Sequence, residues 1–257
     1  MKRTALLFFL LSFLLTSMQL LALPAHAEDI SVAVAANFTA PMKLIAAEFE
    51  KDSGYKVVAS FGSTGKFYAQ IKNGAPFEIL LAADNETPSK LVKENVGTSA
   101  SQFTYAVGKL VLWSAKPGLV DSTGSVLKKG DFAHLALADP KLAPYGAAAV
   151  QTLKALGILE ALQPKIVTAE SIAQAYQFVG SGNAELGFVA LSQLRKDDKD
   201  GKLEGSSWLV PANLYSPIRQ DAVILEPGKG KAAVEALMKF LKGDKARAII
   251  KSFGYDL

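Results

Sequence analysis

The sequence predicts an α/β fold of two units, each a mostly parallel sheet flanked by helices. Two observations carry that reading. Short apolar runs with strand character alternate with segments of helical periodicity, the pattern of parallel sheets covered on both faces. A second such series starts near Gly108, after the first has completed its own strands. A third observation concerns the junctions. Four turns, Ala35-Ala36-Asn37-Phe38-Thr39, Phe61-Gly62-Ser63-Thr64-Gly65, Asp139-Pro140 to Tyr145-Gly146, and Ala169-Glu170-Ser171-Ile172, each follow a strand-like run and precede a helix-like one.

In chain order, residues 30–35 read as a short buried strand. The next helix starts at about residue 40, with Pro41 suited to its first turn and Gly54 to its end. Met42, Ile45 and Phe49 share one face of it. Residues 56–60 form the next strand, followed by a helix to Asn73-Gly74, a strand over 78–82 and a helix over 88–95. In the second unit, 109–115 and 135–138 are strands, and 147–156 is a helix stopped at Gly157. Residues 165–168 form a strand, 171–179 a helix and 185–190 a further strand. The polar run 195–205 is a solvated loop. Ile218–Ile224 is a strand, followed by helices over 231–242 and 244–253. No internal repeat or low-complexity segment follows residue 27.

The N-terminus is a targeting segment rather than part of this fold. Lys2-Arg3 precedes an apolar run over 5–15, and the segment ends at Pro24-Ala25-His26-Ala27. An Ala-x-Ala site marks cleavage of a secretory signal, so 1–27 is the signal peptide and Glu28 the mature N-terminus. Its loss removes two basic and no acidic residues from a chain of net charge +4. The mature charge is therefore small, and no basic patch points to nucleic acid. The chain has no cysteine, which excludes disulfides, thiolate metal sites and a lipid anchor on sulfur. No later segment approaches a membrane span, so no stable membrane insertion is expected after cleavage. His134, the one histidine after residue 27, lacks partner ligands and reads as structural.

The four turns are rich in small, hydroxyl and amide residues, and Lys141 is the only basic residue within them. Helix N-termini present unpaired N–H groups and about half a positive charge, which suits an anion. The first two turns lie at the carboxyl edge of one sheet, where open α/β sheets bind ligands, and the other two belong to the second. Enzyme readings find little support. Gly62 to Phe67 misses the phosphate-loop pattern, because Ser60 and Phe67 stand where a Gly and a Ser or Thr are needed. No Gly-x-Ser-x-Gly elbow is present. Asp139, Glu170 and Glu185 sit at strand–helix junctions, where carboxylates cap helices or close turns. Tyr145, beside Pro144 at a helix start, can offer both a backbone N–H and a phenol hydroxyl, or simply cover the surface.

At these residues the chain resembles the periplasmic molybdate-binding proteins of ABC-type importers, in the type II solute-binding-protein fold. The resemblance spans the mature chain. It is carried by Val34-Ala35-Ala36-Asn37-Phe38, Ser60 to Gly65, Gln70 to Pro76, Ala82-Ala83-Asp84, Gly108 to Trp113, Asp139 to Gly146, and Leu186-Gly187-Phe188-Val189, in order and spacing.

The resemblance implies a two-lobe fold with the ligand in the cleft, residues 28–108 plus 222–257 forming one lobe and 109–221 the other. It implies a solute-binding protein, not an enzyme, located in the periplasm, monomeric and without a cofactor. Such a protein captures molybdate or tungstate and delivers it to an ABC permease. The oxyanion would be held by Ala36 and Asn37 in the first turn, Ser63 and Thr64 in the second, Tyr145 in the third, and the Ile172 N–H in the fourth. The metal enters only as oxyanion, with no direct protein–metal bond. Where the family's first turn often carries a hydroxyl, this chain has Ala36-Asn37, so the Asn37 amide is expected to donate. One branch has a tyrosine where this chain has Ala190, and Tyr145 is expected to replace it. A site of N–H and O–H donors complements a tetrahedral dianion, Lys141 pointing away, and cavity size separates molybdate from the smaller sulfate. A binding protein for sulfate or another small oxyanion is the alternative, and an enzyme on the same bilobal fold a more distant one.

Overall fold

The computed structural model describes residues 29–195 and 204–257. The expected signal segment, the mature N-terminal Glu28 and most of the expected polar loop lie outside the described residues. The strands are β1 (Asp29–Ala35), β2 (Lys56–Gly62), β3 (Ile79–Leu81), β4 (Phe103–Gly108), β5 (Leu110–Ser114), β6 (Leu135–Ala138), β7 (Ile166–Ala169), β8 (Leu186–Ala190), β9 (Ser206–Leu209) and β10 (Ile218–Ile224). The longer helices are α1 (Thr39–Ser53), α2 (Thr64–Lys72) and α3 (Glu86–Lys93), and, after a short α4 (Val126–Lys129), α5 (Pro144–Ala155). A short α6 (Leu159–Leu162) then leads to α7 (Ile172–Gly180), α8 (Leu191–Leu194), α9 (Ala232–Lys242) and α10 (Asp244–Ser252). Among the described residues no helix is long and apolar enough to cross a membrane.

Two five-stranded sheets result, ordered β2-β1-β3-β10-β4 and β7-β6-β8-β5-β9. In the first, β1 is parallel to β2 and β3, while β10 is antiparallel to both neighbours. In the second, β6 is parallel to β7 and β8, and β5 is antiparallel to both neighbours. Each sheet therefore has four strands running one way and one reversed. The two lobes share this plan without a sequence repeat, because it demands hydrophobic runs and not particular residues. β3 and β8 are buried along their whole length, as strands covered on both faces must be. Met42, Ile45 and Phe49 lie in the first lobe's core as the helical spacing predicts.

The chain crosses between lobes twice. The first crossing is the step from Gly108 in β4 to Leu110 in β5. The second lies earlier than the expected boundary at 221/222. β10 is bound into the first sheet from its first residue, where Ile218 pairs with Gly108, so the return falls between Leu209 and Ile218. Arg219-Gln220-Asp221 reads as polar, but Gln220 and Asp221 are buried within the strand. β4 and β9 are strands that the sequence reading does not anticipate. Helix α5 starts at Pro144 rather than at 147, with proline's fixed φ serving its first turn. That shift puts Tyr145 inside the helix's first turn, directed to the interior.

Candidate oxyanion site in the cleft

Ala36, Asn37, Ser63, Thr64, Tyr145 and Ile172 all line one cavity between the lobes, of about 10 Å³. Every one of the four turns reaches it. The first enters through a 3-10 turn, Ala36–Phe38, that leads directly into α1. The second enters at Ser63-Thr64, the start of α2. Tyr145 lies in the first turn of α5, and Ile172 is the first residue of α7. The leading N–H groups of such helices have no intrahelical acceptor. At α7 the Ser171 hydroxyl accepts from the Gln174 N–H at 3.3 Å, so it caps a later donor and leaves the Ile172 N–H for the cavity.

Hydroxyl groups supply the remaining polarity. Ser63 Oγ is buried and has no hydrogen-bond partner. A lone buried hydroxyl is unfavourable by itself and therefore points to a ligand. Thr64 Oγ1 accepts from the Ala83 N–H at 2.9 Å, which leaves its own proton to donate. Tyr145 is 1% exposed, and its phenol oxygen accepts from Gln220 Nε2 at 3.1 Å. Burial, reinforced by the neighbouring Tyr255, holds the Tyr145 phenol well above its ordinary pKa, so it stays protonated and remains a donor. Among the described residues no charged one lines the cavity.

Asn37 departs from expectation. Its amide N–H groups donate to Gln220 Oε1 and to Tyr255 Oη, each at 2.9 Å, while Oδ1 is buried without a partner. In this arrangement the side chain does not donate into the cavity, and the first turn offers main-chain N–H instead. The cause is a buried polar cluster that sequence reasoning missed. Tyr255 Oη donates to Asn37 O or to Ser192 Oγ, at 3.0 and 2.9 Å, and Ser192 Oγ donates to Asn37 O at 2.8 Å. Tyr255 lies 218 positions from Asn37, so nothing local connects the two. The one legible signal was Gln220-Asp221, a polar pair within an apolar strand.

Around this cavity the lobes touch. The Gly65 N–H donates to the Leu142 carbonyl at 2.9 Å, and Lys66 forms an ion pair with Glu170. Lys141 lines a separate outer cleft of about 360 Å³, beside Asp84 and Arg219, and does not reach the inner cavity. Burial raises the Asp84 carboxyl there, against hydrogen bonds from Thr87. Asp139 closes its turn by accepting from the Lys141 N–H, whereas Glu185 accepts from the distant His134 N–H, both at 2.8 Å.

Residues 30–256 match the family described as bacterial extracellular solute-binding protein. The chain is 64% identical to the molybdate-binding protein ModA of Azotobacter vinelandii over 93% of this chain and 94% of that one. Against the molybdate-binding protein ModA of Rhodobacter capsulatus the identity is 54%, over 91% of each. A solved periplasmic molybdate-binding protein of Azotobacter vinelandii superposes with a TM-score of 0.86 at 47% identity, covering 89% of this chain and 99% of that one. A two-lobed fold, a cleft built from four helix starts and a match across nearly the whole described chain agree: this protein belongs to the bacterial extracellular solute-binding proteins.

Proposed function

We propose that this chain is a periplasmic receptor that captures molybdate, and tungstate with it, and delivers the anion to an ABC permease. The observation that carries this reading is the inner cavity, where Ser63, Thr64 and Tyr145 hydroxyls and helix-start N–H groups converge and no described charged side chain joins them. Tetrahedral molybdate is a dianion with four acceptors and no proton to give at neutral pH, so a donor-only site complements it. Exclusion of water strengthens each of these bonds. The absence of a cation on the anion keeps binding reversible, as delivery requires. The six predicted residues among its lining act as the binding set, and the protein works as a carrier, in keeping with its molybdate-binding relatives. Residues 29–108 with 218–257 form one lobe and 109–195 with 204–217 the other, and hinge motion at the two crossings opens and closes the site. The identity to molybdate-binding relatives supports the choice of anion.

Two measurements test this. If only the folded form binds, molybdate or tungstate at about 100 times its dissociation constant stabilises the protein by roughly 2.7 kcal/mol. Thermal unfolding against molybdate, tungstate, sulfate, phosphate and chromate should show that shift at micromolar molybdate and tungstate but not with sulfate. An equal shift with sulfate would replace the molybdate reading by a general oxyanion one. The exported protein should have the intact mass of residues 28–257 in the periplasmic fraction, and a full-length mass in the membrane fraction would count against a cleaved signal.

A further inference from the structure

Gln220 occupies a place that neither the fold nor the cavity lining explains. It is fully buried on β10, at an irregularity where the pairing with β4 shifts register between Gln220 and Asp221. Its side chain joins the two lobes. On one side Oε1 accepts from Asn37 Nδ2 at 2.9 Å and lies 3.1 Å from Tyr105 Oη. On the other side Nε2 donates to Tyr145 Oη. The first crossing makes room for this contact: a Cβ at Gly108 would overlap both the Tyr145 phenol oxygen and the Gln220 amide nitrogen.

An amide has one accepting end and one donating end, so it transmits hydrogen-bond direction. With Nε2 toward Tyr145, the phenol oxygen is occupied as an acceptor, and its proton is left for the cavity or for the neighbouring Tyr255 hydroxyl. With the amide reversed, Tyr145 would donate to Gln220 and Asn37 would accept from it. The Asn37 amide group, itself turned, would then face the cavity with its N–H. Either way, Gln220 couples the two side chains. Bond direction within such a buried network is set collectively, not residue by residue.

We infer that Gln220 is a positioning residue for the oxyanion site, coupling Asn37 of one lobe to Tyr145 of the other and determining which of them donates to the anion. It touches no ligand and acts through its two partners. The inference rests on the molybdate reading above and adds to it a residue outside the cavity.

A double-mutant cycle tests it by isothermal titration with molybdate. In the parent, Tyr145→Phe should weaken binding about ten-fold or more, because a hydrogen bond to a charged group is lost. Gln220→Met removes both ends of the amide, and Gln220→Glu keeps the shape but can only accept when ionised, drawing the Tyr145 proton away. In either background Tyr145→Phe should weaken binding by less than about two-fold further, the signature of residues acting as one unit. Gln220→Glu, nearly isosteric, keeps the test available should Gln220→Met fold poorly, and thermal unfolding of each apo-protein reports folding separately. A full ten-fold effect of Tyr145→Phe in both backgrounds would overturn the inference and leave Gln220 as a strand residue. A parent that does not bind molybdate would overturn the ligand reading, and this inference with it.

Discussion

Thr64→Ala should damage both ligand binding and the unliganded fold, two losses that separate measurements resolve. The hydroxyl serves two partners: it accepts from the buried Ala83 N–H, and its proton is free for the anion. Loss of a hydrogen bond to a charged group is worth about 1.5–3 kcal/mol, so molybdate should bind roughly 10- to 150-fold more weakly. The stranded Ala83 N–H should lower apo stability by about 1–3 kcal/mol as well, since alanine leaves it buried and unpaired. Thr64→Ser keeps the oxygen and should retain most of both. Denaturant unfolding of the apo-proteins and titration with molybdate measure the two effects independently. If Thr64→Ala lowers stability but leaves affinity intact, Thr64 is a structural residue that happens to line the cavity.

Gly65→Ala should give the opposite pattern, with weakened binding and an undisturbed apo fold. A Cβ at this position would stand 2.9 Å from Leu142 Cα and 3.1 Å from its carbonyl oxygen, both main-chain atoms of the other lobe. Neither can move without shifting the third turn, and the Gly65 N–H bond to Leu142 would go with it. Overpacking of this kind typically costs about 1–3 kcal/mol, here paid only when the lobes meet, so affinity should fall roughly 5- to 150-fold. The neighbouring Lys66–Glu170 pair also joins the lobes, but its side chains are 42% and 56% exposed. Exposed pairs contribute about 0–1 kcal/mol, so Lys66→Ala should weaken molybdate by less than about five-fold. Closure therefore depends on the main-chain contact more than on the ion pair. Molybdate titrations of both variants, with apo thermal unfolding as control, should show that order. An apo destabilisation by Gly65→Ala that matches its loss of affinity would mean the lobes are locked together without ligand.

Much of this protein was determined by its sequence alone. The alternation of apolar runs and helical periodicity specified two α/β units, because a strand buried on both faces and an amphipathic helix leave different repeats in the residues. The four turns that supply the cavity were legible for a related reason, while the six residues within them were implied by the family resemblance. Each turn sits at a strand–helix junction, and the chemistry of a helix start is set by a few consecutive residues. Met42, Ile45 and Phe49 were readable as core from their spacing. The limits of the reading were equally physical. β4 and β9 are short strands whose identity depends on their sheet partners; β10 was read as a strand, but the burial of its polar Gln220 and Asp221 was not. Only the tertiary structure decided what the site's polar atoms do. It turned the Asn37 amide toward Gln220 and Tyr255, gave Thr64 a second partner at Ala83, left Ser63 Oγ unpaired, and placed Gly65 against Leu142. These contacts join residues up to 218 positions apart, as in the bond between Asn37 and Tyr255. A hydrogen bond is fixed by distances of a few tenths of an ångström. Residue spacing reports which face an element buries, but not which distant atoms meet there.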